Sequence, residues 1–172
     1  LSDQYPYGGD FGSGTNGGLR GNGVLGFQLT ASAPNNAFTA TLTLKNQTGA
    51  AINNLNVAYQ GKVARTDQPG TPKWIVSVNG TEIPELEYST AEGINQQKSA
   101  VVTGLNIAVG DNISIQWFTT SAETSGTRRQ IGIDDVDINL NVPINPLINV
   151  TANLVTFQTT QGTPSEPQSY FL

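Results

Sequence analysis

The sequence contains no cysteine, no methionine and no histidine among its 172 residues. Without cysteine, the chain can form neither disulfides nor zinc–thiolate sites, and it has no thiol nucleophile. Without histidine, it lacks the most common general base and the most common protein ligand of transition metals. These absences exclude whole classes of catalytic site and leave carboxylates, hydroxyls and backbone groups as the available chemistry.

Charge is also scarce, because only 12% of the residues are charged and the net charge is −5. Soluble helices usually carry many more Lys, Glu and Arg residues than this, and the basic stripe that nucleic-acid binding needs is missing. No apolar run approaches the ~18 residues of a membrane-spanning helix, and no signal peptide opens the chain. We therefore expect no nucleic-acid partner and no membrane insertion, and we expect that any export signal has already been removed.

What the sequence has in abundance is alternation of apolar and polar residues. The clearest case is Phe38–Leu44, where every second residue is threonine, which is the period of a half-buried strand. Similar runs, separated by turn signals about every 8–12 residues, are typical of a sandwich. They are Leu25–Leu29, Leu55–Tyr59, Trp74–Val78, Glu82–Tyr88, Val101–Leu105 and Ile113–Trp117. We predict an all-β, antiparallel β-sandwich with a tight hairpin at Asn79-Gly80 and a break after Gly61.

The strand predicted within Gly126–Val142 holds the sharpest functional clue. Aliphatic residues occupy odd positions in its first half and even positions in its second half, and the two halves meet at Asp134-Asp135. Either a β-bulge re-phases the strand there, or the strand runs straight and points Gly132 and Asp134 into the core. A buried carboxylate must be paired, hydrogen-bonded or bound to a metal.

Two interpretations of Asp134 follow. As a structural carboxylate, it accepts hydrogen bonds from backbone amides, Arg128 or Arg129, and this interpretation is the one we favour. As a metal ligand, it helps to hold a structural calcium ion, which takes roughly six to eight oxygen ligands. Asp10, in the Gly-rich N-terminal segment, is then the obvious second donor.

Aromatic residues are the candidates for a sugar-binding surface, which needs rings held flat toward solvent. Trp74 and Trp117 share the parity of aliphatic neighbours, so we expect both in the core. Phe118 points away from Trp117, and the remaining candidates lie at a strand end or in the N-terminal segment. The predicted ligand-binding residues are therefore Tyr5, Tyr7, Tyr88 and Phe118.

The acids at Glu82, Glu85 and Glu87 resemble a glycosidase pair only superficially. Glycosidase carboxylates lie ~5–9 Å apart across a substrate groove, usually on different elements, whereas Glu85 and Glu87 share one face of a predicted strand. Serines and threonines are plentiful, but no histidine is present to activate one. We predict no catalytic residue and no required cofactor beyond the calcium alternative.

Four short motifs carry a resemblance to a known kind of domain. They are Leu19-Arg20-Gly21-Asn22-Gly23, Leu42–Gly49, Val57–Gly61 and Gly132-Ile133-Asp134-Asp135-Val136. With them, residues 19–140 resemble a jelly-roll β-sandwich module of secreted multidomain bacterial proteins. The Ile-Asp-Asp-Val ending is similar to the last strand of carbohydrate-binding modules and galactose-binding-like domains. In some of those domains the first Asp, here Asp134, helps to hold calcium.

The resemblance also implies a domain organisation. Residues 1–142 form the sandwich module, including its Gly-rich N-terminal segment. Residues 143–172 form a Pro-containing linker and the truncated first strands of a following Ig-like domain, because Thr159–Ser165 is similar to the opening of Ig-like repeats. We expect the chain to be part of a larger protein.

Together these observations predict a non-catalytic, secreted or cell-surface module of a larger bacterial extracellular protein. Its expected role is carbohydrate binding or adhesion, with a polysaccharide or cell-surface glycan and the neighbouring domains of the parent protein as partners. The main alternative is a structural spacer that binds no small ligand. A third interpretation is that the chain is part of a secreted hydrolase, and the residues support it least.

Overall fold

The computed structural model describes residues 7–12, 17–21, 23–28, 37–120 and 129–140. The chain divides into the units Leu1–Asn141 and Val142–Leu172, and all described residues lie in the first. The predicted linker and Ig-like start at residues 143–172 lie outside the described residues and stay predictions. The described strands are β1 (Tyr7–Gly9), β2 (Gly17–Gly21), β3 (Val24–Gln28), β4 (Ala37–Lys45), β5 (Leu55–Ala64), β6 (Lys73–Val78), β7 (Thr81–Glu82), β8 (Tyr88–Ser89), β9 (Gln96–Val102), β10 (Asn112–Thr120) and β11 (Gln130–Asn139).

These strands build two sheets. One has the order β1-β2-β3-β11-β5-β9, and the other has the order β4-β10-β6-β7, with β8 also paired to β6. All pairs are antiparallel except β1 with β2. Without β1, β2 and β7, eight strands remain, and they pair first with last, second with seventh, third with sixth and fourth with fifth, as in a jelly roll. The predicted all-β antiparallel sandwich of jelly-roll type is confirmed.

The core lies between the two sheets, where the alternation predicted it. Trp74 and Trp117 are almost fully buried, as expected from their parity. Burying a large apolar side chain stabilises a fold by about 1.5–3 kcal/mol, so the alternating positions supply much of the driving force. No described residue belongs to a helix that is long and apolar enough to span a membrane.

The hairpin between β6 and β7 forms at the predicted turn. Val78 pairs with Thr81, and the two residues between them, Asn79 and Gly80, have φ values of +49° and +82°. Positive φ at both central positions is the requirement of a type I′ turn, which asparagine followed by glycine meets best. The Asn79 side chain adds a contact to the next strand, because its Oδ1 accepts the Ser114 amide at 2.8 Å.

Gly61 does not break a strand, contrary to the sequence-based prediction. Strand β5 continues to Ala64, and Gly61 pairs with both Ile133 and Gln96 inside the sheet. A Cβ atom at Gly61 would lie 2.4 Å from the ring of Tyr88. Glycine is therefore required here by the close approach of an aromatic ring from the other sheet.

The region between Glu82 and Leu105 also departs from prediction. The strand expected over Glu82–Tyr88 is instead a short β7, a 3₁₀ turn at Pro84–Leu86 and a short β8. Proline at the start of the turn has no N–H to contribute to a sheet ladder. Farther on, Val102 is buried and Val101 is 51% exposed, so the inward face of β9 is the opposite of the one that the Val101–Leu105 alternation suggested.

Strand β11 contains the β-bulge that the parity conflict indicated. Its register with β5 shifts between Asp134 and Asp137, and Asp135 has a φ of +46°. The alternative of a straight strand with Asp134 in the core is wrong. Because the bulge re-phases the strand, isoleucines on both sides of it reach the core: Ile131, Ile133 and Ile138. Val136, next to the bulge, is 41% exposed.

The contact between Gly61 and Tyr88 predicts strong coupling between the two positions. Gly61→Ala is expected to lower the free energy of unfolding by about 3 kcal/mol, because the new methyl group collides with the ring. In a Tyr88→Ala background the collision is removed, so the same substitution should change stability by less than about 1 kcal/mol. Urea unfolding of the four proteins in this cycle measures the coupling, and additive effects would contradict the packing.

Two buried tyrosines predict a loss of stability in alkali. Burial, reinforced by nearby Glu92, raises the pKa of both Tyr59 and Tyr88 above the ordinary value. The folded state therefore holds protons that the unfolded state releases above about pH 10. The contribution of these tyrosines to stability should be constant below that pH and fall above it by about 1.4 kcal/mol per pH unit for each tyrosine. Urea unfolding between about pH 9 and 11 should show a shallower decline for Tyr59→Phe, and equal slopes would contradict the assignment.

Candidate ligand-binding face

Asp134 lies on the outer side of the six-stranded sheet and pairs with a lysine. Its Oδ2 is 3.3 Å from Lys62 Nζ, and both side chains are 17% exposed. Its Oδ1 accepts the backbone amide of Asp135 at 2.9 Å, and Gly23 packs close to the same oxygen. The sequence pointed to a satisfied carboxylate but not to Lys62, which lies far away along the chain on the neighbouring strand.

The other groups predicted around Asp134 are placed elsewhere or lie outside the described residues. Arg128 lies outside them. The Arg129 guanidinium donates to the carbonyl oxygens of Gln68 at 3.3 Å and Thr90 at 3.2 Å, so it contacts two loops and not Asp134. Asp10 is exposed.

The chemistry at Asp134 favours the ion pair over calcium. The described residues bring an ammonium to this carboxylate, whereas calcium would need several more oxygen ligands. Within the described ranges, no group of three or more acidic or other metal-ligating side chains is close enough to hold a metal. Calcium at Asp134 and Asp10 stays a prediction.

Of the four aromatic residues predicted to bind a ligand, one has a described side chain that is exposed. Tyr5 lies outside the described residues, and so does the side chain of Tyr7. The prediction that Tyr88 contacts a ligand is wrong, because this residue is fully buried. Its strand end turns into the sandwich over Gly61, and its hydroxyl donates to the carbonyl of Gly93 at 2.9 Å. Phe118 is 36% exposed and lies on the outer side of the five-stranded sheet.

Phe118 belongs to a mostly polar surface that we name the threonine face. Its residues point outward from β4, β10, β6 and β7, and their positions follow from the strand registers. In one row, Phe118 lies between Thr39 and Ile75. The threonine face consists of Thr39, Thr41, Thr43, Ile75, Ser77, Glu82, Ser114, Gln116 and Phe118.

A second row of the threonine face is wholly polar. Gln116 pairs with Thr41 on one side and Ser77 on the other, and Ser77 pairs in turn with Glu82. No hydrogen bond or ion pair with another described residue engages these four side chains. Their hydroxyl, amide and carboxylate groups are therefore available to a ligand as both donors and acceptors.

Sequence reasoning singled out Phe118 but missed the side chains around it. The signal was present in the Thr39–Thr43 alternation, which placed threonines on the outer face of β4. What the sequence did not show is that β10 lies between β4 and β6, because strand order depends on pairings distant along the chain. Without that order, Gln116 has no identifiable neighbours.

Comparison with known proteins shows structural similarity of low degree. No family model matches the chain, and no curated protein matches it. Among solved structures, the carbohydrate-binding module TmCBM61 in complex with β-1,4-galactotriose is similar with a TM-score of 0.38 and 12% sequence identity, over 68% of this chain and 70% of that chain. Similarity at this level establishes neither a family nor a ligand.

The Lys62–Asp134 pair predicts a modest effect of mutation on stability. Asp134→Ala should lower the free energy of unfolding by about 1 kcal/mol or less, because a partly exposed ion pair contributes little. A double-mutant cycle with Lys62→Ala should show a favourable coupling that decreases as salt screens the charges. Denaturant unfolding at low and high salt checks this. If calcium raises the melting temperature of the chelator-treated protein but not that of Asp134→Ala, the carboxylate binds metal instead.

Proposed function

We propose that this chain is a non-catalytic carbohydrate-binding module and that the threonine face is its site. The observation that supports this most is the half-exposed ring of Phe118 beside a row of unengaged polar side chains. An aromatic face can stack on the apolar C–H side of a sugar ring, whose edge carries hydroxyl groups. Gln116 and its neighbours offer the donors and acceptors that those hydroxyls need.

The dimensions of the face suit an oligosaccharide. Neighbouring strands lie about 4.8 Å apart, so the row from Thr41 to Glu82 spans about 14 Å across four strands. That length accommodates a short glycan chain running across the strands, with one of its rings over Phe118. A single sugar ring would use only part of the row.

The charge of the face favours a neutral glycan. Glu82 is its one acid, and the nearby Lys73 is engaged with Glu87 at 3.1 Å. The net charge of −5 repels polyanions, because like charges raise the free energy of association. A neutral polysaccharide is repelled neither by Glu82 nor by the net charge of the chain.

The placement of the glutamates supports a binding role over hydrolysis. Glu82 lies on β7, Glu85 lies in the 3₁₀ turn, and Glu87 pairs with Lys73. Only the first of these belongs to the threonine face, so no two of them flank a common position on it. A glycosidase needs two carboxylates on either side of the scissile bond.

We also propose the biological setting that the sequence resemblance implies. The module belongs to a larger bacterial protein that is secreted or displayed at the cell surface, where it serves adhesion or substrate attachment. The alternative role, a structural spacer, requires no ligand on the threonine face, and the binding measurement below distinguishes the two.

Removal of the ring or the central amide should weaken glycan binding. Affinity electrophoresis of the full chain in gels containing neutral polysaccharides identifies a ligand, and calorimetry with an oligosaccharide of it measures affinity. Phe118→Ala is expected to weaken binding by about tenfold, equivalent to ~1.4 kcal/mol. Gln116→Ala should weaken it by about two- to tenfold, the range of one hydrogen bond.

Gln97→Ala is the matched control, because Gln97 is an exposed strand glutamine on the other sheet. It should bind like the unmodified protein. If the two variants of the threonine face also bind normally, the site lies elsewhere. If the protein is retarded by no polysaccharide, the spacer role replaces the binding role.

A further inference from the structure

A groove of about 440 Å³ opens between one edge of each sheet. One wall is the hairpin from β6 to β7 with the following 3₁₀ turn, and the other wall is the end of β9 and the residues after it. The lining residues are Val78, Asn79, Thr81, Ile83, Glu85 and the segment Ala100–Leu105. A groove of this volume is within the usual range of ligand sites.

The first half of β9 is protected against pairing with another strand. Strand β9 is the edge of its sheet and pairs, within the described residues, with β5 alone. Lys98 lies opposite the buried Tyr59 in the β5 register, so it points inward, and its Nζ is 2.6 Å from Glu92 Oε2. An inward-pointing charge is a common device that keeps a sheet edge from adding strands.

The second half of β9 has no such protection. Ala100 is small and only partly buried, and Val101 is 51% exposed. Neither a charge nor a proline interrupts Ala100–Val102, and the chain leaves the strand afterwards at Gly104, whose φ is +73°. An edge of this kind presents unpaired backbone N–H and C=O groups to solvent, and an extended chain satisfies them best.

The groove beside this edge supplies side-chain selectivity. Its lining includes Ile83 on one wall and Leu105 on the other, which are apolar and only partly buried. Glu85 is exposed at the groove and forms no ion pair with any described residue. Apolar lining residues beside one carboxylate without an ion pair fit a ligand that combines aliphatic side chains with a cation.

We propose that this groove is a docking site for an extended, basic peptide segment of a partner protein. The segment adds to the edge of β9 at Ala100–Val102, inserts its inward side chains over Ile83 and Leu105, and places a lysine or arginine beside Glu85. A second copy of the chain fits less well. A two-fold contact through β9 would bring two Glu85 carboxylates and two chains of net charge −5 together.

The probe for this docking is the acetylated, amidated hexapeptide Lys-Val-Thr-Val-Thr-Val. Titrated into the ¹⁵N-labelled full chain, it should shift amide resonances saturably at residues 79–85 and 99–105. The same peptide with alternate amide nitrogens methylated should bind at least about fivefold more weakly, because methylation removes its ladder hydrogen bonds.

Two protein variants test the groove itself. Glu85→Gln should weaken binding of the probe by about two- to fivefold, the range of an exposed ion pair. The control is Asp111→Asn, which changes an exposed acid that does not line the groove and should leave the affinity for the probe unaltered. Ala100→Leu should narrow the groove and abolish most of the binding while the melting temperature shows that the fold persists. The proposal is overturned if the probe does not bind, if the methylated peptide binds equally well, or if these residues instead form a concentration-dependent dimer contact.

Discussion

Large aromatic rings fill the space between the two sheets, and two of them donate hydrogen bonds to backbone carbonyls on the opposite side of the sandwich. Trp74 donates its Nε1–H across the sandwich to the carbonyl of Gly132 at 3.2 Å. Tyr59 donates its hydroxyl to the carbonyl of Leu86 at 2.6 Å, which anchors the 3₁₀ turn. Because a buried donor without a partner is destabilising, these bonds fix where the backbone of each sheet lies. The relative placement of the sheets depends on them.

The packing of aromatic rings also explains why glycines occur in the six-stranded sheet. Gly61 leaves space for Tyr88 on the inner side. On the outer side, the facing glycines Gly26 and Gly132 leave space for the ring of Phe11, since a Cβ at either position would lie within about 3 Å of that ring. Glycine in a strand interior weakens the strand. The aromatic contacts that it permits offset this loss, because each ring buries a large apolar area.

Strict alternation is what leaves the threonine face available. In the five-stranded sheet, β4 and β10 pair over nine residues without a register shift, so every inward residue has an outward neighbour at a fixed spacing. The outward residues take no part in the core and are free of its packing constraints. Strand β11 differs, since Asp134 on its outer face pairs with Lys62, so this carboxylate already takes part in a structural contact.

The sequence predicted those features that depend on local periodicity. The strand period located β4, β6 and β10 and placed both tryptophans inside, and the conflict of parity at Asp134-Asp135 located the bulge. Features that depend on contacts between residues far apart in the sequence could not be predicted from it. Gly61 looked like a strand break because the ring that needs it lies far along the chain, and Lys62 could not be matched to Asp134 before the strand order was known.

The open groove results from a change of residue size along one strand face. The inward positions of β9 run from Lys98 through Ala100 to Val102, so a long charged side chain is followed by a methyl group. Lys98 reaches Glu92 and closes the space between the sheet edges, whereas Ala100 is too short to do so. The chain then departs at Gly104. Side-chain size on this single face therefore decides where the sandwich is sealed and where it stays accessible.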